Sequence, residues 1–307
     1  MSVARNVLLR MSKSRWLADH VMTRKFAKRA VKRFMPGEEV SDALDAAQAL
    51  APTQIGTVLT KLGENLTAES EATAVRDHYL DVFEQIKTRR LNAHVSVKPT
   101  QLGLDFSQRH CAEHLETLAR KADEVGTTFW LDMEDSSYVD RTLALYKGLR
   151  VKHEKVGLAM QAYLRRTPAD LAGLLPLRPT VRLVKGAYAE PPHVAFPAKR
   201  DTDIAYAELA TELLKAAAQK EALPIFGTHD IPLLERIMAK ADSLGVKNGG
   251  YEIHMLYGIR MAEQKALAAK GRTVKTLISY GSSWFPWYMR RLAERPANVW
   301  FVVKSLF

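Results

Sequence analysis

The sequence predicts an α/β protein, a (βα)8 barrel of the TIM type with an N-terminal helical arm. Three observations lead there. Short β-rich runs alternate with helical runs from about residue 56 to the end, the pattern of strands joined by crossover helices. The strand runs are continuously apolar, as expected of strands buried on both faces. No Gly-x-Gly-x-x-Gly turn or P-loop follows any of them, which argues against a doubly wound nucleotide-binding sheet.

Residues 1–34 contain ten Lys/Arg and one acid, Asp19, so +9 of the net +11 lies there. Val7, Leu8, Met11, Trp16, Leu17 and Phe26 are spaced among these charges, as in an amphipathic helix. The plain reading is a solvated helical arm on the main domain; the sharper one is peripheral contact with an anionic membrane surface. No nucleic-acid-binding motif accompanies the charge, and no nucleic-acid partner is expected. Helical patterns follow at 42–51 and 70–87, with a strand at 56–62 between them. Further strands are expected at 93–98, 127–132, 156–161, 181–185, 223–228, 251–256 and 274–279. Helices fit between them at 110–124, 139–153, 203–220, 233–244 and 262–270, and a last helix at 284–294. The expected division is an arm over 1–50 and a barrel over 51–307.

The 307 residues are 47% hydrophobic, enough for one large core. No apolar run approaches the roughly 18 residues that span a bilayer. The single cysteine, Cys111, excludes an internal disulfide and a thiolate metal cluster from this chain, and suits a cytoplasmic location.

In a barrel of this kind the chemistry gathers where the strands end. Here those ends carry Lys98, Asp132, Gln161, Arg182, Lys185, Thr228, His229 and His254. Each has a bland alternative. Asp132 can cap the next helix, Gln161 can pair with backbone, and Asp230 reads as an N-cap with His229 beside it. Arg182 and Lys185 are hardest to dismiss, because two cations in a buried strand need anionic partners. Gly186 allows close approach of a ligand to the backbone. The final helix holds Arg290 and Arg291 among aromatics, and a guanidinium fork matches a carboxylate. Too few paired acids are present for glycoside hydrolysis, and no Ser or Cys nucleophile has a matching base. The acidic run 132–135 lacks the His spacing of a metal site. A cation-rich mouth suits a phosphorylated cofactor together with a carboxylate substrate.

Lys98 with Thr-Gln-Leu-Gly (100–103), Leu-Asp-Met-Glu-Asp (131–135), Gln-Ala-Tyr-Leu-Arg-Arg-Thr (161–167), Arg-Leu-Val-Lys-Gly-Ala-Tyr (182–188), Val-Ala-Phe-Pro-Ala-Lys-Arg (194–200), Thr-His-Asp (228–230), Met-Leu-Tyr-Gly (255–258) and Arg-Arg-Leu-Ala-Glu-Arg-Pro (290–296) occur in this order. Together they resemble proline dehydrogenase, above all the short, single-function bacterial enzymes. The resemblance implies a distorted barrel with FAD at its mouth and the last helix lying over it. It implies hydride transfer from L-proline to flavin N5, with 1-pyrroline-5-carboxylate as product and a quinone as final acceptor. Arg290, Arg291 and Lys98 would hold the carboxylate, with Tyr188, Leu256 and Trp287 walling the substrate. Arg182 would lie near N5 and Asp132 would orient the flavin. Met133, Gln161, Val184, Lys185, Gly186, Thr228, His229 and His254 would contact the FAD. Three positions depart from the family pattern: Trp287 and Leu277 stand where Tyr is usual, and His254 where Gln is frequent. The first two open the alternative of hydroxyproline or another cyclic secondary amino acid.

Overall fold

The computed structural model describes residues 31–63 and 66–294, without the side chains of 290–294. Eight parallel strands close into a barrel in sequential order: β1 (Gly56–Lys61), β2 (Ala93–Val97), β3 (Phe129–Leu131), β4 (Val156–Gln161), β5 (Thr180–Val184), β6 (Leu223–Gly227), β7 (Glu252–Leu256) and β8 (Val274–Tyr280). The seam between β1 and β8 is paired from Gly56↔Lys275 to Lys61↔Tyr280, so no edge strand remains. Helices α1 (Val40–Leu50), α2 (Glu69–Thr88), α3 (Gln108–Val125), α4 (Val139–Arg150), α5 (Thr167–Ala172), α6 (Lys199–Ala218), α7 (Ile231–Ser243), α8 (Met261–Ala269) and α9 (Trp284–Glu294) accompany the strands.

The strands lie close to their expected places because their apolar runs are buried on both faces. Strand β3 is shorter than 127–132, although Val95 N still donates to Thr128 O and Asp132 N to Val97 O at its two ends. Helix α3 begins earlier than expected because the Ser107 hydroxyl accepts from His110 N, and it stops at Gly126. Helix α5 was not anticipated; at six residues it is too short to show a period.

Residues 1–30, and with them most of the basic arm, lie outside the described residues. Helix α1 falls on the arm side of the boundary expected at residue 50. It buries Ala43, Leu44, Ala47 and Leu50 in the main core and packs against β1 and β8. At the other end, α9 buries Trp284, Phe285, Trp287, Tyr288 and Met289. Trp284 Nε1 donates to Glu38 Oε1 at 3.2 Å, and the Phe34 and Tyr288 rings lie 6.3 Å apart. The segment entering α1 thus holds the helix that follows the last strand.

One outer-layer contact has a pH signature. His153 places Nδ1 2.6 Å from Asp123 and Nε2 3.0 Å from Glu116. Both nitrogens face carboxylates, so both must donate, which requires the imidazolium. Burial lowers this ring's proton affinity, but the bonds to Glu116 and Asp123 outweigh it, and the pKa is raised above the ordinary 6.5. A raised folded-state pKa means that the bound proton stabilises the fold. The contribution is complete below the unfolded pKa and is lost as pH rises through the folded one. Thermal melts at about pH 6 and about pH 8.5 are expected to show that His153→Gln loses less stability over this interval than the wild type. An equal loss in both proteins would contradict this.

Candidate active site

Strand alternation sends every second residue inward. In this barrel the inward set is unusually polar. It includes His94 and Ser96 on β2, Trp130 on β3, Arg182 on β5, Glu252 and His254 on β7, and Lys275 on β8, all buried or nearly so. Val58, Trp130 and Ile225, with Leu223 and Leu277, supply an apolar middle.

Arg182 organises the mouth. Its side chain is only 4% exposed, and burial lowers its proton affinity while Asp132 opposes that. Arg182 Nη2 bonds Asp132 Oδ1 and donates to Ser96 Oγ at 2.9 Å. Ser96 Oγ in turn donates to Asp132 Oδ1 at 3.0 Å. The guanidinium carbon lies 4.8 Å from the Trp130 ring centroid. Arg182 Nη1, by contrast, is buried without a hydrogen-bond partner, as is Gln161 Oε1. An unmet donor and an unmet acceptor are costly inside a protein unless a ligand meets them. A polar ligand could meet both.

The remaining strand-end residues lie at or just beyond the C-terminal ends of the parallel strands, at the same end of the barrel. Lys98 is half-buried directly after β2, and Asp132 directly follows β3. Gln161 Nε2 reaches Met133 O at 3.4 Å. Val184 ends β5 and is followed by Lys185 and Gly186. Lys185 Nζ is 2.5 Å from Asp203 and 2.8 Å from Asp230. Burial raises the pKa of both acids, yet the lysine contacts leave each below the ordinary carboxylate value. Asp230 also accepts from Leu233 N as the N-cap of α7, so one lysine ties β5 to α6 and α7. Thr228 is buried, and His229 Nε2 accepts from Leu256 N at 2.8 Å, which leaves Nδ1 as the protonated nitrogen. Tyr188 and Leu256 are half-buried, and Trp287 is buried on α9. Arg290 and Arg291 occupy the last turns of α9; their side chains lie outside the described residues.

His254 sits differently from the other strand-end residues. Its Nε2 is 3.0 Å from Glu252, and its ring packs on Trp130 and lies 6.3 Å from His94. These contacts place it within the barrel. Burial, opposed by Glu252, lowers its pKa to about 4, and burial with nearby cations holds His94 well below the ordinary value. His94, Glu252 and His254 bring ligand atoms within 4.8 Å of one another. Two features oppose a metal there. Trp130 Nε1 already donates to His94 Nδ1 at 3.0 Å, and the Lys275 ammonium stands 4.0 Å from Glu252.

Contacts between the segments that follow β3, β4 and β5 lie close to Tyr188 in the sequence. Ser136 donates from both N and Oγ to Glu190 at 2.7 Å, and Arg165 stacks over Phe196 at 4.6 Å. Ser96, Trp130, Asp203, Asp230 and Glu190 were not singled out in the sequence as site residues. Counting back two positions from Lys98 and Asp132 finds the first two, since strand neighbours at that spacing share a face. Asp230 is legible as the N-cap of α7 but not as a partner of Lys185, and no comparable local signal marks Asp203 or Glu190.

The proline dehydrogenase family profile matches residues 43–304. Proline dehydrogenase 1 of Bacillus subtilis (strain 168) is 33% identical over 307 residues, covering 98% of each chain. Proline dehydrogenase of Deinococcus radiodurans is 35% identical over 280 residues, covering 90% of this chain and 89% of its own. Among solved structures, proline utilization A from Bdellovibrio bacteriovorus, inactivated by N-propargylglycine, superposes with a TM-score of 0.80 at 24% identity. It covers 87% of this chain and 32% of that longer one, and the likeness is one of fold. Near-full-length identity to two such relatives, with the profile match, places this chain in the proline dehydrogenase family, as an oxidoreductase built on a (βα)8 barrel.

Proposed function

We propose that the barrel mouth binds FAD and oxidises L-proline to 1-pyrroline-5-carboxylate, the first step of proline catabolism to glutamate, with electrons passing on to a quinone. The observation that carries this reading is Arg182. It is a buried guanidinium locked on one side by Asp132 and Ser96, with Nη1 left without a hydrogen-bond partner, as is Gln161 Oε1. A flavin ring edge presents acceptors and donors of the kind these two atoms lack. Gly186 adds a second fit. Its φ is +114°, and a Cβ there would stand 2.2 Å from the Tyr163 ring, so only glycine lets the backbone leave β5 packed on that ring at the proposed cofactor site.

Met133, Gln161, Arg182, Val184, Lys185, Gly186, Thr228 and His229 would hold the cofactor. Bound FAD supplies the two-electron acceptor for hydride leaving the ring carbon next to nitrogen. The chain's own residues do the rest. Lys98, Arg290 and Arg291 fix the carboxylate and with it the ring carbon that faces the cofactor. Arg182 holds positive charge where negative charge develops, and Asp132 keeps that guanidinium in place. Tyr188, Leu256 and Trp287 wall the substrate and exclude water from its ring.

The purified protein is expected to be yellow, and proline is expected to bleach it without oxygen. A colourless protein that takes up no FAD would overturn the reading. Arg290→Ala and Arg291→Ala should each raise KM for proline by roughly 10- to 100-fold, the cost of a lost charge-assisted hydrogen bond, with FAD content unchanged.

A second reading, oxidation of hydroxyproline or another cyclic secondary amino acid, is favoured by the site's apolar side. Leu277 packs on Val58, Trp130 and Ile225, and Trp287 is buried in α9. Rates of flavin reduction across cyclic amino acids decide between them; a clear preference for unsubstituted L-proline excludes the second. A cytoplasmic enzyme meeting a membrane quinone through the basic arm fits the charge of residues 1–34. Among the described residues no helix is long and apolar enough to cross a membrane. Liposome binding that is salt-sensitive and lost on deleting residues 1–30 would support the arm's role.

A further inference from the structure

We infer that Trp130 is a positioning residue for this chemistry: its indole, braced from three sides inside the barrel, holds the Arg182 guanidinium so that Nη1 faces the cofactor. The inference rests on the FAD reading above.

Arg182 has few other constraints. Its anchors on Asp132 and Ser96 both engage Nη2. With Nε tied to the side chain and Nη2 to these two groups, the guanidinium plane can still tilt about the line joining them, and Nη1 moves with it. The Trp130 ring removes that freedom by lying 4.8 Å beneath the guanidinium carbon. Stacking on an indole face fixes the plane of the cation and also favours its charged form, which burial opposes. The indole is itself immobilised. Its Nε1–H donates to His94 Nδ1 at 3.0 Å. Its ring meets the His254 ring edge-on at a centroid distance of 5.6 Å. Across the barrel wall it fills the space that a side chain on residue 157 would occupy: a Cβ on Gly157 would stand 2.4 Å from Trp130 Cζ3. His94 and His254 are held neutral by burial, so neither adds a charge that would repel Arg182. Histidine at 254 thus has a role in the interior, as a brace for Trp130.

Four proteins test this: wild type, Trp130→Phe, Trp130→Leu and Gly157→Ala. The readouts are FAD content, the midpoint potential of the bound flavin, and the proline KM and kcat. Trp130→Leu removes the aromatic face. Its flavin is expected to become about tenfold harder to reduce, a fall of about 30 mV for a two-electron couple. The value of kcat should fall by a similar factor and KM should change little, because the carboxylate clamp is untouched. Trp130→Phe keeps a face under the cation and is expected to recover most of the potential. Gly157→Ala leaves the indole present but displaces it, and is expected to lower the potential as Trp130→Leu does, which covers the case in which the leucine variant does not fold. Wild-type potential in flavin-loaded Trp130→Leu, or in flavin-loaded Gly157→Ala, overturns the inference while leaving the functional reading intact. A wild-type protein that takes up no FAD overturns both.

Discussion

Asp132→Ala is expected to destabilise the fold by about 3 kcal/mol or more, within the range for removing one partner of a buried ion pair. The Arg182 side chain is 4% exposed and that of Asp132 is 20% exposed. Removing the carboxylate strands a guanidinium that water barely reaches. Ser96 Oγ and the Trp130 face remain, but neither carries a compensating charge. The partial exposure of Asp132 places the expected loss toward the lower end of the range. Urea unfolding of the two proteins measures it, and a difference under about 1 kcal/mol would contradict the burial argument. Asp132→Asn keeps an acceptor near Nη2 and should lose less stability than alanine. Both variants should reduce flavin more slowly, because the guanidinium is no longer anchored.

Gly186→Ala is expected to cost several kcal/mol and to strip the protein of FAD. A φ of +114° is one that residues with a Cβ rarely adopt, and strain of that kind costs roughly 1–3 kcal/mol. The added methyl would also meet Tyr163 Cδ1 at 2.2 Å. Tyr163 cannot easily yield. It is buried, its N donates to Lys185 O at 3.0 Å, and its O accepts from Phe196 N at 2.8 Å. Either the β5 loop or the paired loop at 194–196 must shift, and both border the mouth. The flavin-to-protein ratio after purification is the measurement; a ratio equal to wild type would show that this backbone does not approach the cofactor.

The strands could be read from the sequence because a parallel barrel buries both faces of each strand, so β4 and β6 appear as short apolar runs with sharp ends. The strand-end rule then located Lys98, Asp132, Gln161 and Arg182 without knowledge of any contact. The same rule also singled out His254. It treated that residue as a mouth group; its bonds to Glu252 and its packing on Trp130 belong to the interior. Helix α5 and Asp203, a partner of Lys185, carried no comparable signal.

The sequence by itself determined the (βα)8 architecture, the cationic character of the mouth and membership of the family. Its local periodicities encode burial, and its ordered motifs encode descent. Only the tertiary structure decided which groups meet. Ser96 and Arg182 are 86 residues apart, and Asp132 and Arg182 are 50 apart. Barrel closure brings all three together over Trp130, and that closure is a property of eight strands paired in register, which no single segment contains.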